Sequence, residues 1–484
     1  MRSAFWTALV SGAAASALLA PTAFGADAKT DARIEQLEQQ IELLSQQVKD
    51  LKTGTASKFA ETKRAADAQP VVSLDNGRPT FKTADGNFTA SLRSLVQWDA
   101  GYYIQKDAPA GSDLSSGTNF RRARIGLEGT LYKDWEYSFI YDFGGSGVEG
   151  TTISQAYLQY NGWKPFYVRA GAFPPYTSHE DSGGASETIF LERAAVVETV
   201  RSIAGSDGRE GASLTYAGDR LFGSVAYTGA KVGDAAVFDE QQGVVGRVAG
   251  LVYSDANTKI NIGANGSYVF DLSDTTAGPG SVNQVRFQER PDLRIDGTRL
   301  IDTGNFGTAA NPTRSITTWG VDGAAAWKSL YGEGGYFKIS AERGGTGLAS
   351  ANPEFTGWYA QATWLVTGES RRYDPLRGAF RSPKVAHPLN FGDDPGFGAL
   401  ELAVRYDTLD LNFNSNLSTA NGGLRGGVQD VWTFGANWYA NNAVRLSLNY
   451  LLIDVDRQAQ GTTPPFASLS QKAQAIAFRS QISF

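Results

Sequence analysis

The sequence predicts an all-β chain, a 16-stranded antiparallel transmembrane β-barrel that carries a short N-terminal α-helical coiled coil. Three observations support that expectation. From about residue 80 onward, apolar and polar residues alternate with a period of two in a long series of short runs, the pattern of strands with one lipid face and one aqueous face. No apolar run of about 18 residues follows the N-terminal stretch, which excludes membrane-spanning helices. The 484 residues include 55 Gly and 12% aromatics, which suits tight turns, close walls and interfacial girdles. The mean hydropathy of −0.27 looks soluble only because alternation averages the two faces.

Composition narrows the function. The absence of Cys excludes disulfide frameworks, thiol nucleophiles and thiolate metal sites. Two distant histidines, His179 and His387, leave little for His-based catalysis or zinc. A formal charge of −6 argues against a nucleic-acid partner. A Gly-x-Ser-x-Gly elbow, a phosphate loop ending in Gly-Lys-Ser/Thr and His-Glu-x-x-His are all missing, so no enzyme is expected, and no cofactor or metal.

Residues 1–25 place the basic Arg2 before a small-residue apolar stretch and Ala23-Phe24-Gly25 before Ala26, the layout of a cleaved export signal. Its removal takes away Arg2 and no acid, so the formal charge moves from −6 to −7. Over residues 30–52, Ile34, Leu37, Ile41, Leu44, Val48 and Leu51 recur at alternating spacings of three and four, a heptad seam with β-branched residues at a and Leu at d. The seam serves either a coiled coil or one amphipathic helix lying on its own chain. So short a coiled coil is marginal alone and needs an oligomeric body. Residues 53–79, polar with two prolines, read as a linker to a barrel over 80–484.

Within the barrel, Arg122, Arg124 and Glu128 oppose Ala123, Ile125 and Leu127, and Leu402, Val404 and Tyr406 oppose Glu401, Arg405 and Asp407. Seventeen such runs occur, and bacterial single-chain barrels have even strand numbers. One run is therefore miscounted or lies outside the wall; run 281–290 is the candidate, on the strength of the resemblance given below, leaving sixteen. Aromatics at run ends, Trp98, Tyr102 and Tyr103, Trp135 and Tyr137, Trp358, Tyr359 and Trp364, and Trp432, Trp438 and Tyr439, suit girdles. The chain closes on an amphipathic strand ending in Phe484.

Three insertions exceed turn length, at about 173–209, 271–314 and 368–396. The second holds Arg286, Arg290, Arg294 and Arg299. A guanidinium facing lipid at the bilayer midplane costs about 2–4 kcal/mol, so these either decorate an external loop or line the channel. The first insertion carries apolar patches that want burial, as a loop folded onto the inner wall would. Arg193 and Arg201 are its candidate constriction cations, with Glu180, Asp181, Glu187, Glu192 and Glu198 as competing anions. The alternative for Arg193 is a purely structural ion pair.

Eight motifs in order, Phe120-Arg121-Arg122-Ala123-Arg124, Asp134-Trp135-Glu136-Tyr137, Tyr141-Asp142-Phe143, Leu191-Glu192-Arg193-Ala194, Arg286 to Pro291 through Ile301 to Gly304, Thr367-Gly368-Glu369, Glu401 to Asp407 and Asn437 to Asn442, resemble the phosphate-selective porin O/P family. The resemblance spans about residues 80–484. It implies a homotrimer of 16-stranded outer-membrane barrels that pass anions, inorganic phosphate or polyphosphate foremost, by diffusion along an arginine ladder. Under it, Arg93 matches a lumenal arginine of the first strand, and Arg121 and Arg122 match the Phe-Arg-Arg segment. Arg193 matches the constriction-loop arginine, and Arg286, Arg290, Arg294 and Arg299 match the ladder. A terminal Phe484 resembles the signal read by the barrel-assembly machinery. The chain departs from the phosphate-specific members where Asp181 stands in place of a loop lysine. At contact distance such a charge reversal is worth several kcal/mol at an effective dielectric of about 20. The alternative expectation is a weakly selective general porin whose periplasmic coiled coil tethers the outer membrane to the peptidoglycan wall.

Overall fold

The computed structural model describes residues 28–67, 69–75, 77–145, 152–234, 239–274, 285–308, 311–392 and 395–484. The export signal expected at 1–25 lies outside the described residues. The chain divides into two units, Met1–Gln69 and Pro70–Phe484.

In the first unit, helix α1 spans Ala28–Asp67. The seam residues Ile34, Leu37, Ile41, Leu44, Val48 and Leu51 are 50–67% exposed in the single chain. The expectation of a linker over 53–79 is corrected: the helix continues to Asp67, and strands Val71–Asp75 and Arg78–Lys82 form a hairpin. The seam ends at Leu51, but Ala, Lys, Glu and Arg in the following stretch still favour helix. Thr53 and Thr55 turn their hydroxyls back onto the Lys49 and Leu51 carbonyls, so their polar groups do not interrupt it.

The second unit is built on sixteen strands: β1 Thr89–Gln105, β2 Gly117–Leu131, β3 Trp135–Asp142, β4 Thr152–Tyr160, β5 Phe166–Ala172, β6 Arg209–Ala217, β7 Leu221–Lys231 and β8 Gln242–Ser254, then β9 Thr258–Asp271, β10 Thr313–Trp327, β11 Leu330–Arg343, β12 Glu354–Leu365, β13 Ala399–Phe413, β14 Leu424–Tyr439, β15 Val444–Asp456 and β16 Gln471–Ser483. Each pairs antiparallel with its neighbours in chain order, and β16 returns onto β1 from Ala473↔Gln105 to Ser483↔Leu95. Closure leaves no open edge in the wall. Below the seam, Ser94 and Phe484 exchange backbone hydrogen bonds of 3.0 and 3.1 Å, and the hairpin extends the β1 edge at Thr80↔Ser91.

The described part of run 281–290, residues 285–290, stands outside the wall as expected. Val285 bridges Phe306, and Gln288–Glu289 pairs with Ile301–Asp302 as a separate small ribbon. Trp98, Phe120, Ile125, Leu127 and Phe139 lie exposed on the outside, while Gln97, Asp99, Arg405, Asp407, Asn437 and Arg479 are buried within. The expected girdles lose Tyr103, Tyr359 and Tyr439, which are buried inside. Successive strand residues point to opposite faces, so each of these neighbours of an outward aromatic turns inward. Tyr359 and Tyr439 donate to Glu333 and Glu401 at 2.8 and 2.9 Å.

Strand parity sorts the long connections. Loops 173–208 and 272–312 follow the odd strands β5 and β9, at the end with the longer loops. Loop 366–398 follows the even strand β12 and enters from the short-turn end. The apolar core lies inside the wall, where Leu191, Val196, Val197 and Val200 meet Phe337, Phe355, Leu409 and Leu451.

Candidate functional site

Loop 173–208 is the centre of the lumen. It contains helix α2 (His179–Gly183), capped by the Ser178 hydroxyl, which accepts from the Asp181 N–H at 3.2 Å, and helix α3 (Ala195–Ala204). Between them runs a stretch with no strand beside it, whose buried carbonyls need donors. Wall side chains supply them. Gln97 and Gln481 donate to the Ala185 and Ser186 carbonyls, each at 3.2 Å. Arg445 and Asn437 reach Thr188 and Ile189, each at 2.8 Å, and Arg405 reaches Glu192 at 2.9 Å. Arg479 donates to the Leu191 carbonyl. Two wall glycines make room for the loop: a Cβ at Gly435 would sit 3.0 Å from the Phe190 ring, and one at Gly357 2.7 Å from Val196 Cγ2.

Charge pairing completes the docking. Glu192 accepts from Arg121 at 2.8 and 3.2 Å and from Arg479 at 3.0 Å, with Arg294 at 3.4 Å. Burial pushes its carboxyl up, but these arginines together with Arg122 outweigh it and hold it well below the usual range. Glu198 behaves alike: burial is outweighed by Arg201, Arg294 and Arg193. The two acids where a loop cation was expected are both matched. Asp181 lies 2.7 Å from Arg201 and 3.1 Å from Arg193, and Glu180 lies 3.5 Å from Arg405.

The sequence-derived arginines fall into three places. Arg121 and Arg122, adjacent in sequence, both point inward, because Gln97↔Arg122 is followed by Trp98↔Phe120 and Arg121 bulges between them. Arg122 donates to Gln97 at 2.7 Å. Arg286 forms a two-point pair with Asp302 at 2.8 and 2.6 Å, and Arg294 and Arg299 sit near Glu289 at 3.9 and 3.3 Å. These five line one cavity of about 560 Å³ at the long-loop end, joined by Arg124 and Arg201. Arg193 and Arg290 are instead buried in the ion network around Glu198 and Asp292, beside a void of only about 10 Å³. Arg93 lies alone of the set at the short-turn end, on a second cavity of about 600 Å³ with Arg377 and Arg381 from loop 366–398.

Sequence reasoning passed over the strand arginines that clamp the loop. Arg405 binds Asp292 at 2.7 Å, and Arg479 binds Asp99 twice at 2.6 Å. Their signal was parity, since both occupy inward positions of strongly alternating strands. The inward entry of loop 366–398 was equally unseen. Arg381 holds Glu187 at 2.6 Å, and the Phe380 N–H donates to His179 Nε2 at 3.2 Å, so two loops from opposite ends meet in mid-lumen.

Comparison with known proteins places this architecture. The sequence profile described as phosphate-selective porin O and P matches residues 88–484. Porin O of Pseudomonas aeruginosa is 27% identical over 420 residues, covering 83% of this chain and 91% of that one. An uncharacterized protein of Caulobacter vibrioides is 29% identical over 405 residues, covering 80% and 72%. Among solved structures, an anion-selective porin from Comamonas acidovorans aligns at 11% identity with a TM-score of 0.46, covering 82% of this chain and all (100%) of that one. The outer membrane channel DcaP of Acinetobacter baumannii aligns at 13% and 0.43, covering 84% and 99%. The chain is an outer-membrane porin and belongs to the phosphate-selective porin O and P family.

Proposed function

We propose that the barrel passes small anions by passive diffusion, inorganic phosphate and polyphosphate foremost, drawn along the lumen by arginines. The observation that carries this is a reversal of charge between chain and channel. The chain sums to −6, yet the long-loop cavity is lined by eight cations against five acids and the short-turn cavity by six against four. Guanidiniums suit phosphate because their planar donors replace lost water bonds in pairs. Spreading them over two cavities gives several moderate sites rather than one deep trap, as conduction requires. The matched acids Glu180 and Asp181 support the same reading, since Asp181 is answered by Arg193 and Arg201 of the loop and Glu180 by Arg405 of the wall. Planar-bilayer reversal potentials in a KCl gradient, with phosphate as blocker, test it. An anion-selective potential and phosphate-dependent block are expected; a cation-selective potential indifferent to phosphate refutes it.

A second reading concerns α1. Its seam is exposed in the single chain, which favours a homotrimer whose helices associate through Ile34, Leu37, Ile41, Leu44, Val48 and Leu51. The chain enters the wall at the short-turn end, the periplasmic side of such barrels, so the helix belongs to the periplasm, where it holds the channel near the peptidoglycan. Phe484 then serves as the mark read by the barrel-assembly machinery. Deleting residues 30–52 should weaken trimers or envelope attachment; unchanged trimers and attachment together rule out this role.

A further inference from the structure

We infer that the short-turn cavity is a binding site for phosphorylated monosaccharides, an anionic group on a hydroxyl-bearing ring. The inference rests on the anion-pathway reading and names a cargo class within it. The two cavities differ in chemistry. At the long-loop end the lining is largely paired guanidinium and carboxylate with small hydroxyls such as Ser154 and Thr199, and Phe287 is its one aromatic ring. At the short-turn end Tyr157, Tyr167 and Tyr176 line the space with Gln155, Ser91 and Thr215.

The groups there are idle in an informative way. Arg93, Lys133 and Lys164 make no ion pair among the described residues, and the acids opposite them are engaged. Arg78 pairs with Glu128, Arg381 lies 3.4 Å from Asp374, and Glu136 accepts from the Tyr157 hydroxyl at 3.0 Å. The remaining acid, Asp134, sits in the exposed turn beside Lys133. Tyr157 carries the Arg169 guanidinium over its ring at 4.2 Å. The hydroxyls of Tyr167 and Tyr176 have no hydrogen-bond partner among the described residues. Gln155 accepts from Ser138 at 3.3 Å and keeps its amide N–H groups for another acceptor.

Inorganic phosphate would use the cations and a few N–H or O–H donors but would leave the tyrosine ring faces and most of the volume unused. The volume, about 600 Å³, is that of a site for a small organic ligand. A monosaccharide ring would lay its C–H face on Tyr167 or Tyr176. Its hydroxyls would meet the tyrosine hydroxyls and the Gln155 amide, while its phosphate met Arg93, Lys133 and Lys164.

The test uses the full chain in planar bilayers, with block of the ionic current titrated by glucose 6-phosphate, inorganic phosphate and glucose. Glucose 6-phosphate is expected to block at about tenfold lower concentration than phosphate, and glucose not at all. The Tyr167→Ala/Tyr176→Ala pair should bring the ratio of the two blocking concentrations to about one. The milder pair Tyr167→Phe/Gln155→Met, which keeps ring and volume, should lower it about threefold. A wild-type ratio near one, an unaltered ratio in both variants, or equal block by glucose overturns the inference while leaving an anion-selective KCl potential standing. A cation-selective potential would overturn the anion reading itself and this inference with it.

Discussion

Arg479→Met is the sharpest probe of how the lumen is held. Arg479 is fully buried on β16 and spends its guanidinium on three partners: both oxygens of Asp99 at 2.6 Å, Glu192 at 3.0 Å and the Leu191 carbonyl. Methionine keeps most of the volume but strands the Asp99 carboxylate, equally buried, with no other partner among the described residues. Removing one member of a buried pair costs about 3–5 kcal/mol, a factor of roughly 150 to 5,000 in the docked population. No discount for solvent applies, because neither side chain is exposed. Urea unfolding in liposomes, followed by tryptophan fluorescence, gives the stability change, and single-channel conductance reports the loop. Arg479→Met should lower stability by that amount and raise and broaden the conductance as loop 173–208 leaves the wall. Asp99→Asn added to it should restore about half or more of the loss, because the stranded charge is gone. If the two changes simply add, the stranded-charge argument is refuted.

Other consequences follow from the same contacts. Arg294→Ala, at the long-loop cavity, should reduce anion over cation permeability about twofold to fivefold, the scale of about 1 kcal/mol or less, whereas Arg193→Met should chiefly raise protease sensitivity of the loop. Gly435→Leu should crowd Phe190 off the wall and give a larger, noisier conductance; an unchanged trace would mean that the loop does not lean on this glycine. For Glu187, burial pushes the carboxyl up, but Arg381 and the Ser382 N–H outweigh it and hold it at about 2, below its ordinary 4.5. A depressed folded-state value means the contact stabilises fully above about pH 5 and is lost as pH falls toward 2. Conductance noise should therefore rise from pH 4.5 to pH 2, and Glu187→Gln should show it already at pH 7.

Much of this was legible in the residues. All sixteen wall strands follow from a period of two, because a wall with lipid on one side and water on the other admits no other pattern; run 281–290 alternates as well, and the even strand number and the family resemblance set it apart. Alternation failed where local geometry breaks it. Arg121 would face lipid but for the bulge after Gln97, and Tyr103 was read as a girdle residue although its parity points inward. The helix outran its seam because propensity, not apolar spacing, sets where an exposed helix stops. The clamps on loop 173–208 were hidden for another reason. Arg405 and Glu192, or Arg479 and Leu191, lie more than 200 residues apart, and nothing local signals such a partner. The inward entry of loop 366–398 was hidden likewise: the parity of β12 puts the loop at the short-turn end, but its partners Glu187 and His179 lie about 200 residues away.

The placement of Arg479 also sets an order of events. Asp99 is on the first strand of the wall and its only counter-ion among the described residues is on the sixteenth, 380 residues later. Until β16 arrives, Asp99 faces an open, wet interior and the Leu191 carbonyl lacks its guanidinium, while Glu192 keeps Arg121 and Arg294 on its carboxylate. Loop 173–208 is therefore latched in part by the same strand that seals the cylinder. A barrel stalled one strand short would be left unsealed and without the Arg479 latch on its lumenal loop, which couples the seating of that loop to completion of the wall.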